Sequence, residues 1–261
     1  MSVSPETSRV ALVTGASSGI GHATALAFAR EGTKVAAVAR SAERLNELQQ
    51  SAPDMILPIT ADVTDAEAMR DAVGLTIERF GRLDVLVANA GIGQRGSLID
   101  ADWSDLETVL RTNIDGVLNS IRAAVPALRQ SGGGHIILVS SVMSSMPSPY
   151  AATYSASKAF VSNLATSLSL ELEADNIRVT DMLVGQTHTE FASRRLGQPG
   201  RVAKFLPTME AEQVAVAIVR ASHGRRKRVV LRWLDRLILL GNTVTPGLMG
   251  IIARRLYGKK R

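Results

Sequence analysis

The segment YSASK sets Tyr154 and Lys158 four residues apart, and on a helix that spacing puts both side chains on one face, one turn from each other. A free phenol has a pKa of about 10 and exchanges protons poorly near neutrality. An ammonium fixed about 4 Å away is worth up to about 4 kcal/mol at an effective dielectric of about 20. Since about 1.4 kcal/mol moves a pKa by one unit, Lys158 together with a bound cationic cofactor ring is expected to bring the phenol towards physiological pH, where it exchanges a proton with an oxygen. A Y-x-x-x-K pair also suits an ordinary surface helix, and position separates the two readings. This pair follows the apolar run HIILVS, whose end carries Ser140 and Ser141, and ligands of open parallel sheets bind outside such strand ends. Tyr150 has Tyr154, not a lysine, four residues on, and Tyr257 lies in a basic tail.

A second group of residues suits an anion. TGASSGIG, residues 14–21, stands between the aliphatic run RVALVT and an Ala-rich helical segment that Gly32 ends. A glycine-rich turn there lets backbone N–H groups and the helix N-terminus approach a pyrophosphate. The candidate contacts are Gly15, Ser17, Ser18, Gly19, Ile20 and Gly21, with spacing G-x-x-x-G-x-G. The glycines alone also fit a plain helix-entry turn; the strand before and the helix after favour a dinucleotide. At the end of the second strand the chain reads Ala39-Arg40-Ser41. No acid stands there to repel a phosphate dianion, and Arg40 can grip one through paired donors, with Ser41 beside it, so NADP (NADPH) is expected over NAD.

Positioning these groups requires a sheet. Continuously apolar strands at RVALVT, KVAAVAR, MILPIT, LDVLVA, HIILVS and IRVTDMLV alternate with helical segments, and a last strand is expected near 227–231. Such alternation requires a parallel sheet covered on both faces. The fold class expected is α/β, a single doubly wound Rossmann domain with a seven-stranded parallel sheet and helices on both faces. One long helix is expected from beyond Ile99 to about Gln130 and another from about Ala151 to Ala174. Residues 185–207 read as a substrate lid, followed by a helix opened by Thr208.

The composition supports one soluble unit: 261 residues with 46% apolar content bury a full core. The absence of cysteine excludes disulfides, thiolate metal sites and cysteine nucleophiles. His22, His135, His188 and His223 show no ligand spacing, so no metal is expected. MSVSPETSR lacks a signal-peptide apolar stretch, and a cytoplasmic location is expected.

With these motifs in place, residues 9–231 resemble the short-chain dehydrogenase/reductase (SDR) family. TGASSGIG is similar to its cofactor motif T-G-x-x-x-G-x-G, and Asp62-Val63 to its adenine-contacting acid and the residue after it. Ala88-Asn89-Ala90-Gly91 stands where the family has N-N-A-G, with Ala in place of the first Asn. Val184-Gly185 replaces the usual P-G, and Thr187 and Thr189 follow, Thr189 at the position of the threonine that meets the nicotinamide carboxamide. The resemblance implies NAD(P)-dependent hydride transfer between a carbonyl and an alcohol, with four catalytic residues. Ser141 would hold the substrate oxygen and Tyr154 exchange its proton. Lys158 would lower the phenol pKa and bind the nicotinamide ribose, and Asn113 would anchor a relay water. It also implies a homodimer or homotetramer through the long helix before Gln130 and the catalytic helix. Alternatives are a catalytically silent NADPH-binding regulator and a membrane-associated scaffold.

The formal charge of +6 is uneven. Residues 225–261 hold eleven Lys/Arg and one acid, Asp235, for +10, leaving −4 on the rest. Residues 232–261 are expected to form a basic, apolar extension to the 1–231 catalytic domain. Between Arg236 and Arg254 lie seventeen uncharged residues broken by Gly, Asn, Thr and Pro, a poor spanning helix but a suitable pair of amphipathic ones. They are expected to meet the core, a partner subunit or an anionic membrane inner face, and they favour a hydrophobic small-molecule substrate. Nucleic acid is not an expected partner, because a single-strand binder's aromatic interleaving is missing.

Overall fold

A computed structural model describes residues 8–197 and 208–257. Seven parallel strands form one sheet: β1 Val10–Thr14, β2 Lys34–Ala39, β3 Ile56–Thr60, β4 Val85–Ala88, β5 Gly134–Ser141, β6 Ile177–Val184 and β7 Arg228–Val230. Their spatial order is 3-2-1-4-5-6-7. The order reverses between β1 and β4, and the crevice beyond the C-terminal ends of those strands is where such sheets bind ligands. The expected α/β architecture is therefore the one observed.

Helices cover both faces: α1 Gly19–Arg30, α2 Ala42–Gln50, α3 Ala66–Phe80, α4 Trp103–Leu110, α5 Gly116–Gln130, α6 Ala152–Glu171 and α7 Ala211–His223. Because both faces are covered, β1 is buried throughout. One core joins Leu12, Leu86, Ile136 and Leu138 to α3, α5 and α6. The other joins Val13, Val87, Ile137 and Met182 to α1, α2 and α7. Successive strand residues alternate between these cores, as the pleat requires.

Three element boundaries differ from the sequence expectation. The long helix before Gln130 is interrupted by a π turn at Arg111–Asp115, a wider turn that turns Asn113 inward. The helix that carries Tyr154 ends at Glu171, and a short 3₁₀ turn, Glu173–Asp175, follows. The helix assigned to Thr208 begins at Ala211, capped by Glu210 in reciprocal hydrogen bonds with Gln213. A carboxylate there accepts first-turn N–H groups and meets the helix dipole, whereas Met209–Glu210 is drawn into a two-residue parallel pairing with Thr187–His188.

Of the 185–207 segment, residues 198–207 lie outside the described residues. The described part has a single hydrogen-bonded turn at Glu190–Arg194 and a two-residue pairing of Leu196–Gly197 with Gln94–Arg95. Beyond β7 the extension folds as α8 Trp233–Val244 and α9 Pro246–Tyr257. No described helix is long and apolar enough to cross a membrane.

Candidate active site

The glycine turn sits at the reversal of strand order. Gly15 has φ +67° and Gly19 φ +53°, a backbone region that side chains rarely enter. A Cβ on Gly21 would lie 2.2 Å from the carbonyl oxygen of Gly15, so α1 leaves the turn at a distance only glycine permits. Asn89 fixes the turn from β4: its Nδ2 donates to the Thr14 carbonyl at 2.9 Å and its N–H to Thr14 Oγ1 at 3.1 Å. Ala90 N–H shares that Thr14 hydroxyl at 3.1 Å. Ser18 is the N-cap of α1 but gives it no side-chain hydrogen bond, leaving the first-turn amides of the helix as donors. A turn narrowed to bare backbone, opening on a helix N-terminus, fits the pyrophosphate of a dinucleotide.

Arg40 lies at the end of β2 with 72% of its side chain exposed, 3.9 Å from the Asp62 carboxylate. Asp62 Oδ1 accepts from both Thr64 N–H and Thr64 Oγ1 at 2.9 Å, and Val63 packs into the core beside it. Ser41 caps α2, its hydroxyl accepting from Arg44 N–H. Val184 ends β6 in the core, and the following Gly185 faces the tail. A Cβ there would lie 2.4 Å from Arg232 Nη2 and 2.5 Å from Asp235 Oδ2. Thr187 Oγ1 donates to the Gly185 carbonyl at 3.1 Å, and Thr189 covers Gly19, its Cβ 3.2 Å from where a Gly19 Cβ would stand.

The structure brings Asn113, Ser141, Tyr154 and Lys158 to one place. Ser141 ends β5, its hydroxyl accepting from Met143 N–H at 3.2 Å, and its side chain adjoins the phenol of Tyr154. Lys158 is 5% exposed and donates to the Val139 carbonyl at 2.9 Å. A Cβ on Gly91 would stand 3.3 Å from Lys158 Nζ and 3.2 Å from Asn113 Oδ1, so these two side chains flank Gly91. Asn113 is fully buried: its Oδ1 accepts from Ile92 N–H at 2.9 Å, and its Nδ2 donates to the Ile92 carbonyl and Ser157 Oγ, each at 3.0 Å.

The electrostatics depart from the sequence expectation. Burial pushes the Tyr154 phenol above its ordinary value, and the nearby Ser141 hydroxyl and Arg195 charge only oppose it. Burial also pushes the Lys158 ammonium down, to about 8, against the Asp181 carboxylate. In the protein alone the expected acidification of Tyr154 is absent, because desolvation outweighs the neighbouring charges.

Several neighbours had no sequence prediction. The ring of Phe191 packs 5.7 Å from that of Tyr154, and Arg195 lies 5.7 Å from the Phe191 ring centre. Glu190 is paired with Arg44 of α2 and Arg194, and Arg194 also donates to Ser18 of the glycine turn. A pocket lined by Arg95, Met143, Met146, Ser148, Pro149 and Ala151 adjoins the segment after Ser141. No sequence spacing signals these contacts. Asp181, an acid inside an apolar strand, and Ser157, inside YSASK, carried a signal.

Residues 9–198 match the model of the short chain dehydrogenase family. The chain is 33% identical over 238 residues to the 3-oxoacyl-[acyl-carrier-protein] reductase FabG of Thermotoga maritima, covering 83% of this chain and 97% of that protein. It is 36% identical over 225 residues to the 2-(R)-hydroxypropyl-CoM dehydrogenase of Xanthobacter autotrophicus, covering 81% and 90%. Among solved structures it is similar to a short chain dehydrogenase from Burkholderia cenocepacia in complex with NADP, with a TM-score of 0.81, 27% identity and 94% and 97% of the two chains covered. It is also similar to a 3-ketoacyl-(acyl-carrier-protein) reductase from Brucella melitensis complexed with NADH, with a TM-score of 0.76, 26% identity and 82% and 90% covered. A sheet reversing at a glycine turn, with a tyrosine, lysine and serine gathered beyond the strand ends, agrees with these matches: the chain is an NAD(P)-dependent oxidoreductase of the short-chain dehydrogenase/reductase family.

Proposed function

We propose that this oxidoreductase interconverts a hydrophobic ketone or aldehyde with its alcohol, using NADPH in preference to NADH. The observation that carries the reading is the Tyr154 phenol set beside Ser141 at the end of β5, one helical turn from a buried Lys158. Bound nicotinamide supplies or accepts the hydride at its C4. The Ser141 hydroxyl orients the substrate oxygen, and the Tyr154 phenol gives that oxygen a proton in reduction or removes it in oxidation. A phenol whose pKa burial has raised stays protonated at neutral pH, which suits a proton donor and hence reduction. Lys158 stabilises the phenolate left behind and holds the nicotinamide ribose; Asn113 anchors the water through which the proton is replaced.

The dinucleotide contacts are Gly15, Ser17, Ser18, Gly19, Ile20, Gly21, Asp62, Val63, Asn89, Ala90, Gly91, Val184, Gly185, Thr187 and Thr189, with Tyr154 and Lys158. Arg40 and Ser41 meet the 2′-phosphate of NADPH. Relatives are solved with either NADP or NADH, so the preference rests on an exposed Arg40 with no acid from 39 to 41. A steady-state screen of aldehydes, ketones and 3-oxoacyl thioesters with NADPH and NADH tests the reading. Turnover of apolar carbonyls with NADPH is expected; NADPH binding without turnover across the panel would leave a silent regulator.

A specific observation favours a peripheral role for residues 232–261 beside the 1–231 domain. Trp233, Leu237, Leu240, Val244, Leu248 and Ile251 of α8 and α9 are each at least half exposed. Arg236, Arg254 and Arg255 stand among them, and the one acid, Asp235, is buried against Arg232. An apolar face with a basic fringe suits an anionic lipid surface. Flotation with phosphatidylserine vesicles is expected, and Leu237→Glu with Leu240→Glu should abolish it; an unchanged float would discard this face. Exposed Trp103 on α4 and Phe160 and Leu170 on α6 support subunit pairing through those helices. Light scattering should then give a dimer or tetramer.

A further inference from the structure

The catalytic helix rests on a buried carboxylate that the reaction scheme above does not use. Asp181, in the middle of β6, is 1% exposed. Its Oδ1 accepts from Ser140, the neighbour of Ser141 on β5, and its Oδ2 accepts from Ser162, one helical turn beyond Lys158 on α6. Arg228 on the edge strand β7 completes the cluster, its Nε donating to Asp181 Oδ2 and its Nη2 to Ser162 Oγ, each at 3.2 Å. A carboxylate inside a sheet is costly unless paired and hydrogen-bonded. Here the pairing is incomplete on the solvent side, since the Arg228 side chain is 54% exposed while that of Asp181 is 2% exposed. Water weakens the arginine's hold on the negative charge far more than it weakens the carboxylate's field in the interior.

We propose that Asp181 is a positioning residue for the reaction: it is the counter-charge that keeps Lys158 protonated, and Arg228 sets how much of that charge Lys158 feels. From α6 itself comes the Tyr154 phenol, neutral while protonated. From β5 comes the Val139 carbonyl, and from the π turn the neutral amide of Asn113. Asp181 of β6 is held at Lys158 from both sides, by Ser162 one helical turn beyond it and by Ser140 next to the Val139 carbonyl that Lys158 meets, and among the described residues its charge favours the ammonium against burial. Ser140 and Ser162 also tie the carboxylate to the strand end that bears Ser141 and to the helix that bears Tyr154.

The inference rests on the reading of Lys158 as a working cation, so its test reads the lysine itself, without substrate. In full-length protein labelled with ¹³C-lysine, the Lys158 Cε resonance is followed against pH, with Lys158→Met used to assign it. Asp181→Asn should lower its midpoint by about one pH unit, and Arg228→Gln should raise it, because the carboxylate is then less compensated. The alkaline limb of kcat/KM should move the same way in each variant. A merely structural ion pair predicts similar losses of stability in both variants and no opposed shifts. An unmoved Lys158 midpoint in folded Asp181→Asn overturns the proposal. If that variant does not fold, a midpoint in Arg228→Gln that fails to rise does so. Opposed midpoints in a protein without carbonyl turnover would sink the catalytic reading alone.

Discussion

Lys158 donates to the Val139 carbonyl at 2.9 Å, so the lysine is tied to the same strand that ends in Ser141. The serine, the lysine and, through the helix turn, Tyr154 therefore move as one body. Rigid support of this kind lets a proton donor stay in place while the ligands change.

Replacing Tyr154 with Phe keeps the ring against Phe191 but removes the hydroxyl. Turnover should fall by about 10²-fold or more, while the NADPH dissociation constant, read by fluorescence quenching, should stay within about threefold. Unchanged turnover would remove Tyr154 from the mechanism.

Burial of Lys158 carries a stability cost with a defined pH window. Its pKa is about 8 in the folded protein and 10.5 ordinarily, so the unfolded chain binds more protons between those values and stability rises with pH across them. Below pH 8 the cost is fully present, about 3 kcal/mol as an upper figure. Lys158→Met should therefore unfold at higher urea concentration than the parent at pH 7, with the difference closing by about pH 10.5, and should be inactive. A lower midpoint at pH 7 would contradict this.

His135 on β5 is fully buried between the Ser222 carbonyl and Thr180 Oγ1, and burial pushes its pKa down to about 4. The unfolded imidazole takes up its proton near pH 6.5, so this site's contribution is present above 6.5 and lost as pH falls towards 4. Urea unfolding from pH 7 to 4.5 should show a steeper decline for the parent than for His135→Gln. Parallel declines would assign the acid sensitivity elsewhere.

Arg40→Ala should weaken NADPH by about tenfold or more, the loss of roughly 1.4 kcal/mol from a charge-assisted contact, and leave NADH within about twofold. Equal effects on both dinucleotides would mean that Arg40 meets no 2′-phosphate.

Much of this was readable along the chain. Apolar runs such as VALVT and HIILVS are buried on both faces, so they are strands of a covered parallel sheet whichever neighbours they find. Glycine at 15 and 21 is demanded by a local backbone conformation and a close approach, and local demands are written locally. The π turn that aims Asn113 was not readable, since a shift from four- to five-residue hydrogen bonding leaves the apolar pattern almost unchanged.

Sequence by itself determined the fold class, the glycine turn and the Tyr154–Lys158 pair, because each depends on residue types at short separations. Only the tertiary structure decided the proton affinities. The Tyr154 phenol was expected to be lowered by neighbouring positive charge, but in the protein alone desolvation dominates it and Lys158 alike, and desolvation depends on how much protein folds over a group. The same holds for Asp181, an anomaly in IRVTDMLV until β5, α6 and β7, distant in sequence, enclose it.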